Sequence, residues 1–557
     1  MKKLLLFFML VTCSFFAQDK EDAWLFFKDK PNESVFLNNP LSILSQRALD
    51  RRIKQQISLD SKDVPIDIDY FNQIKIDTSV VILGKSKWLN ALHIQGTIDN
   101  IKLLKLNYPF INNIEFANKS LNISAKYNKV NSSLNHTKKF EEITTDFNYG
   151  AADHQIKMLQ GNFLHENGYT GNNQIIAIID AGFPNVNTLP AFKRIRDNNQ
   201  ILGGYNFADR NTDFYSRNSH GTHVLSTISG YVKDEFVGAA PDAKFYLFIS
   251  EIAENETVLE ETLWVEAAEK ADSLGVDIIN TSLGYTTFDN PNHHHTYQHM
   301  DGKTTFISRG AEIAASRGML LVNSAGNSGN SSWKYIGAPA DAASVITVGA
   351  VKASEEIAGF SSYGPTYDGR IKPEILAQGQ NPYLIHFASG AITNAGSGTS
   401  FSSPIMAGLI ACLNQYENSL PLNESRSMTK KNRNFYLKKA LFESADKYSL
   451  PSEQHGYGIP DFKIAFEKYR SYFTTNDASL NNLKIYPNPT TSSFTIMLDG
   501  LLFEDYTIEI YTILGEKVYK KDNLITNTID VSFLSNGVYV AKISKGNTFK
   551  TLKLIKN

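Results

Sequence analysis

Short runs of consecutive apolar residues recur through the middle of this chain: Gln174–Ile179, Lys244–Ile249, Val276–Ile279, Met319–Val322 and Val345–Val348. Runs of this length without polar alternation predict strands buried on both faces, as in a parallel sheet. Between them, Glu260–Leu274 and Thr305–Ser316 carry apolar residues at helical spacing. Strand and helix in alternation predict an α/β sheet with helices on both faces. The N-terminal pattern is different. Trp24–Phe27 and Trp88–Ile94 read as strands, Ile98–Leu106 as a helix and Pro109–Ile111 as an extended return, which together give an α+β unit. Beyond about Asn481 the chain reads as short strands: Phe494–Leu498, Tyr506–Thr512, Val518–Tyr519 and Val538–Ile543, with turns at Gly515 and Asn536–Gly537. That pattern predicts a small all-β sandwich.

A chain of 557 residues exceeds what one core holds. The expected divisions are 1–17, 18–147, 148–470, a linker 471–482, and 483–557. The polar, Asn- and Lys-rich stretch Asn118–Lys139 reads as the connection between the second and third segments. Lys2 and Lys3 precede an apolar run, Leu4–Phe16, and Ala17 stands where a cut would fall. This is the form of a secretory signal peptide, and the run is short for a membrane span. Cys13 raises lipid attachment as an alternative, but Thr12 before it and the apolar residues after it fit that poorly. Charge is nearly balanced, 55 basic against 57 acidic residues, which gives no footprint for nucleic acid. With the leader removed Cys412 stands alone, so stability rests on packing or bound ions rather than a disulfide. Its small, apolar neighbours predict a buried, inert thiol.

Four motifs carry chemistry. Asp180 closes an apolar strand and is followed by Ala181-Gly182. His220 lies in Asn-Ser-His-Gly-Thr-His. Asn327 ends Ser-Ala-Gly-Asn. Ser400 lies in Gly-Thr-Ser-Phe-Ser-Ser-Pro, ahead of a helix rich in small residues. A serine hydroxyl needs a base within hydrogen-bond reach, and that base needs a group to orient it. Imidazole suits the first role and a carboxylate the second. Taken singly, each motif reads as ordinary structure: an aspartate capping a strand, a structural histidine, a loop serine. Their conjunction in this order, with an amide donor between the last two, is far less common.

Over roughly Tyr149 to Tyr469 these motifs resemble the subtilisin-like serine peptidases (S8 family, subtilases). The resemblance implies a three-layer α/β domain with a mainly parallel sheet, preceded by an α+β prodomain and followed by the small all-β sandwich. It implies a secreted endopeptidase working through an acyl-enzyme: Asp180 as the triad acid, His220 as general base, Ser400 as nucleophile, and Asn327 with the Ser400 backbone N–H as the oxyanion hole. By the same resemblance Ser282, Leu283 and Gly284 line one wall of the first specificity pocket, and Ser324, Ala325 and Gly326 the other. No charge appears among those six, so uncharged side chains are expected there. Further matches are Phe360–Pro365 and Lys372-Pro373-Glu374, the last with glutamate where the family usually has aspartate. Ala181 stands where threonine or serine is common, so one local hydrogen bond is expected to be missing.

Segment 18–147 then makes sense as a propeptide that inhibits the enzyme, with self-cleavage near Phe147–Gly150; a permanent accessory domain is the alternative. Segment 483–557 resembles the type IX secretion C-terminal sorting domain of Bacteroidetes, through Ile485-Tyr486-Pro487-Asn488-Pro489, Gly515, Leu534, Gly537-Val538-Tyr539 and the basic tail Lys550–Lys556. A carbohydrate-binding or adhesive sandwich is the alternative. Expected partners are polypeptide substrates, the propeptide and the type IX machinery, with no nucleic acid, and the expected location is secreted or cell-surface. Catalysis needs no cofactor. Structural calcium is common in the family; Asp197, Asp209 and Asp213 are loose candidates without a loop motif. His293, His294, His295 and His299 suggest a metal site, but Pro291 and the polar surroundings favour an exposed insertion. Two other functions compete: a catalytically dead binding protein, opposed by the filled catalytic positions, and an esterase, opposed by the serine coming last and outside Gly-x-Ser-x-Gly.

Overall fold

A computed structural model describes residues 20–122, 147–419, 433–474, 483–497, 506–522, 524, 527–545 and 548–557. The leader and most of the Asn118–Lys139 stretch lie outside the described residues.

The N-terminal unit is a four-stranded antiparallel sheet of β1 (Lys20–Phe27), β2 (Val80–Ser86), β3 (Ala91–Thr97) and β4 (Ile111–Phe116), ordered β2-β3-β1-β4. Its helices are α1 (Gln46–Lys54), α2 (Ile68–Ile76) and α3 (Ile98–Asn107). Trp88 belongs to the turn before β3 rather than to the strand.

The central unit is built on seven parallel strands: β5 (Ile175–Asp180), β6 (Ile201–Asn206), β7 (Lys244–Ile249), β8 (Ile278–Thr281), β9 (Leu320–Ser324), β10 (Ile346–Val351) and β11 (Ile375–Gln378). Their order is β11-β10-β9-β8-β5-β7-β6. β5, Ile-Ile-Ala-Ile-Ile-Asp, is buried throughout because both its faces are covered. Ile176 and Ile178 enter one core, shared with α4 (His220–Ser229) and α7 (Thr399–Ser419). Ile175, Ala177 and Ile179 enter the other, shared with α5 (Leu259–Leu274) and α6 (Phe306–Ser316). Strand period two thus divides the sheet between two helical layers. α5 stops at Gly275, whose φ of +82° is the left-handed cap that glycine adopts without a Cβ clash.

The N-terminal unit packs on the α5–α6 layer. The Trp24 ring stacks on Phe306 (4.9 Å between centroids), and its indole N–H donates to Thr262 Oγ1 (2.9 Å). Glu269 of α5 accepts hydrogen bonds from Ser86 Oγ (2.7 Å), Trp88 N (2.9 Å) and Lys87 N (3.1 Å). Asp272, fully buried, pairs with both Arg51 and Arg52.

At the C-terminal end, β12 (Lys484–Tyr486), β13 (Ser493–Met497) and β16 (Thr528–Asp530) form one antiparallel sheet. β14 (Thr507–Thr512), β15 (Lys517–Lys521), β17 (Gly537–Lys545) and β18 (Thr548–Lys556) form another. Phe494, Ile496, Ile508, Ile510, Ala541 and Ile543 share one core between them.

Candidate active site

In an open parallel sheet, chemistry gathers where strands end at their carboxyl edge. β5, β8 and β9 are adjacent, so Asp180, Ser282 and Asn327 emerge side by side. His220 opens α4, and Asn218 Oδ1 accepts its backbone N–H (2.9 Å). Glycine lets that helix start approach β5. A Cβ on Gly182, at φ +150°, would meet Ser216 O at 2.4 Å, and one on Gly221 would meet Gly182 O at 2.5 Å.

His220 Nδ1 lies 2.7 Å from Asp180 Oδ1. An ionised carboxylate only accepts, so Nδ1 carries the proton and Nε2 keeps its lone pair. Burial pulls the imidazole pKa down, but the charge and hydrogen bond of Asp180 outweigh it and leave it raised above the ordinary value. The same Oδ1 accepts from Ala181 N (2.7 Å), while the buried Oδ2 has no hydrogen-bond partner among the described residues. Alanine at 181 supplies no hydroxyl for it.

Ser400 is the second residue of α7, where backbone N–H groups lack intrahelical acceptors. Its hydroxyl donates to Ser282 O (3.2 Å) and, in this rotamer, not to His220. Catalytic hydrogen bonds often tighten only with substrate in place. Ser282 Oγ donates to Ser400 O (2.9 Å) and accepts from Asn280 Nδ2 (3.3 Å), and Asn280 Oδ1 accepts from Ser403 Oγ (3.0 Å). This buried polar chain ties the end of β8 to the first turn of α7.

Asn327 Oδ1 accepts from Thr399 N (2.9 Å) and Thr399 Oγ1 (3.0 Å). With its oxygen occupied, the amide presents Nδ2 as the remaining donor. A Cβ on Gly398 would lie 3.4 Å from that nitrogen, so glycine leaves it room.

A cavity of about 160 Å³ adjoins these groups, and Ser282, Leu283, Gly284, Ser324, Ala325 and Gly326 all line it, with Asn327 and Ser400. Its lining also includes Thr286, Ser328, Tyr335, Gly337, Ser362 and Thr399, to which the sequence analysis gave no role. Thr399 and Ser362 lie within matched motifs and Ser328 adjoins one, so these were within reach; Thr286, Tyr335 and Gly337 come from segments that only folding brings close. Larger cavities lie elsewhere, about 540 Å³ along the edge of the N-terminal sheet and about 340 Å³ beside His154 and Lys352. Neither is lined by Ser400 or Asn327, so chemistry rather than size marks the site.

The histidine insertion is not exposed as expected. His293 and His295 are buried: His293 Nε2 meets Glu21 Oε1 at 2.6 Å, and His295 Nε2 meets Glu261 Oε1 at 2.5 Å. Carboxylates from β1 and α5 hold them inside. Asp197 pairs with Lys193, and Asp209 with the Arg217 guanidinium (2.5 and 2.7 Å), so neither faces a common centre with Asp213. Among the described residues no group of three or more His, Cys, Asp or Glu side chains is placed to hold a metal ion. Lys372 and Glu374 form a buried pair (2.8 Å). Cys412 is fully buried, its Sγ donating to Ala239 O (3.3 Å), and burial pushes its thiol pKa well up.

Comparison with known proteins places three family models on the chain. The subtilase family model matches residues 171–459, a Bacteroidota peptidase S8 propeptide domain matches 22–135, and a secretion system C-terminal sorting domain matches 484–557. Subtilisin NAT of Bacillus subtilis subsp. natto is 31% identical over 270 residues, covering 47% of this chain and 61% of that protein. Subtilisin of Bacillus pumilus is 30% identical over 270 residues, covering 47% of this chain and 84% of that protein. The crystal structure of MycP1 with its N-terminal propeptide removed covers 56% of this chain and 96% of that one, at 20% identity and a TM-score of 0.42. This chain thus spans about 61% of the first of these relatives.

Proposed function

The chain belongs to the subtilase family of serine peptidases, carrying an S8 propeptide domain and a secretion sorting domain, and from that premise we propose that it is an exported endopeptidase made as a zymogen. The observation that carries this reading is the Asp180–His220 hydrogen bond, together with the cavity that Ser400 and Asn327 line in common. Ser400 Oγ attacks the scissile carbonyl carbon and gives its proton to His220 Nε2. Asp180 stabilises the imidazolium that forms. The negative charge on the former carbonyl oxygen is taken by Asn327 Nδ2 and the Ser400 backbone N–H. His220 then protonates the leaving amine, and water repeats the sequence on the acyl-enzyme. An extended peptide pairing with the backbone of Ser282–Gly284 would bring its side chains to the cavity.

The propeptide domain covers the α5–α6 layer, which supports its role as the enzyme's own inhibitor. Export rests on the sorting domain together with the leader read from residues 1–17. A fluorophosphonate probe tests the core of the reading. We expect it to label Ser400 in the wild-type chain, with casein digested in parallel, and to label nothing in Ser400→Ala. Labelling without casein digestion would point to an esterase; neither labelling nor digestion, to a binding protein.

A further inference from the structure

Between Gly284 and α6 the chain inserts a histidine-bearing loop that the peptidase chemistry does not use. The loop is clipped in place from two sides. His295 pairs with Glu261 of α5, both almost fully buried, and Glu261 Oε2 also accepts from Ile307 N (3.1 Å). The His295 backbone N–H donates to Thr286 O (2.8 Å), folding the loop back onto its own start. Two residues on, Tyr297 stacks on Tyr335 with centroids 3.9 Å apart and planes 21° from parallel. Its hydroxyl donates to Pro365 O (2.8 Å), which fixes the ring in its plane.

Tyr335 in turn lines the cavity beside Ser400. Thr286 and Gly337, which also line it, nearly touch: a Cβ on Gly337 would stand 3.1 Å from the Thr286 methyl. These three belong neither to the residues assigned to the reaction nor to the two walls 282–284 and 324–326; they add a further side to the lining.

We propose that Tyr335, braced by Tyr297 of the histidine loop, sets the depth of the pocket that receives the side chain before the scissile bond, admitting an uncharged side chain no larger than one six-membered ring. The proposal rests on the peptidase reading and names its substrate class. Size is the first argument. The cavity measures about 160 Å³, and about 150 Å³ is enough to hold a benzene. An indole, with two fused rings, needs more room than a single ring, so its fit depends on what bounds the cavity. Charge is the second. The lining carries no Asp, Glu, Lys, Arg or His, so a charged side chain would lose its water without gaining a partner. Rigidity is the third: a tyrosine stacked on a second, anchored tyrosine cannot swing aside to enlarge the space.

The test uses the processed enzyme and tetrapeptide anilides that differ only in the residue before the anilide: Ala, Leu, Phe, Trp, Lys or Glu. For the wild type, kcat/KM for Leu and Phe should exceed that for Trp, Lys and Glu at least tenfold. Tyr335→Ala should raise the Trp-to-Leu ratio at least tenfold. Tyr297→Ala should raise it at least threefold, whereas Tyr297→Phe, which keeps the stack, should stay near the wild-type ratio. Each ratio is internal to one enzyme, so a partly unfolded preparation does not distort it; if Tyr335→Ala does not fold, Tyr335→Leu reads the same quantity. A wild type that cleaves the Trp, Lys or Glu substrate as fast as Leu overturns the proposal. So does a ratio that fails to move in Tyr335→Ala or in Tyr297→Ala. Failure of the peptidase reading looks different: the wild type cleaves none of the six and takes no fluorophosphonate.

Discussion

At the scale of single residues, what matters is how neighbours change ordinary groups. Burial lowers the His220 pKa, and Asp180 more than reverses that. The sign has two consequences. A histidine with a raised folded pKa adds stability below its unfolded value of about 6.5, and the gain is lost as pH rises through the folded value. Catalysis needs the opposite form, because a base must be unprotonated. The acid limb of kcat/KM should therefore lie above about pH 6.5. Asp180→Asn should move that limb down and cut kcat by about 10⁴-fold through the wrong tautomer, a magnitude carried over from another serine peptidase. Profiles for both enzymes check this; an unmoved limb would remove Asp180 from the assignment. The four residues proposed to react could be singled out as candidates because each sits in a short motif. Their partners, Thr399 on Asn327 and Ser282 on Ser400, stood out less: serine and threonine are common, and only their contacts distinguish them.

At the scale of elements, α5 does two jobs. Its inner face fills the core beneath the sheet, and its outer face is the seat of the N-terminal unit. Asp272 there holds two guanidiniums, Arg52 at 2.7 Å and Arg51 closer still, with Asp63 also on Arg52 (2.8 Å). Removing the shared carboxylate strips the buried Arg51 of its carboxylate and leaves Arg52 with Asp63 alone; breaking a buried pair in this way costs about 3–5 kcal/mol. In the uncleaved Ser400→Ala chain, adding Asp272→Ala should therefore raise hydrogen exchange and tryptic cutting across residues 20–122 by about two to three orders of magnitude. Unchanged protection would show that the seat lies elsewhere. Burial also lifts the Glu269 carboxyl from 4.5 to about 7 in the docked chain. The docked state thus retains a proton that a solvent-exposed carboxyl releases, so docking is favoured at the acid end and weakens as pH rises between those values. The helix itself was readable from its spacing. That carboxylates on its outer face meet arginines more than two hundred positions upstream was not, since no local period encodes it.

Across the whole molecule, three units with separate hydrophobic patterns match a propeptide domain, a subtilase domain and a secretion sorting domain in turn. The C-terminal sandwich has its own core and supplies none of the side chains at Ser400. Deleting residues after Leu483 should leave the peptidase folded but retained in the periplasm, measured by casein digestion in fractionated cells. Unchanged export with weaker surface attachment would instead mark the sandwich as an adhesive module.

The sequence alone determined whatever depends on neighbours a few positions apart. Apolar runs made β5, β7 and β9 visible, helical spacing made α5 and α6 visible, and motif order singled out the four residues proposed to react. It missed β6, Ile-Leu-Gly-Gly-Tyr-Asn, whose glycines and half-buried positions blur an apolar run. Tertiary structure decided everything that spans distance. Polar composition made the histidine loop read as exposed, yet His293 is held by a glutamate 272 positions away and His295 by one 34 away. Likewise the order of β9, β8 and β5, not any string of letters, sets Asn327, Ser282 and Asp180 along one edge, and only a folded loop brings Tyr297 beneath Tyr335. Hydrogen-bond periods are short-range and therefore written locally; a pocket is a meeting of remote segments, so its depth and charge exist only once the sheet has closed them together.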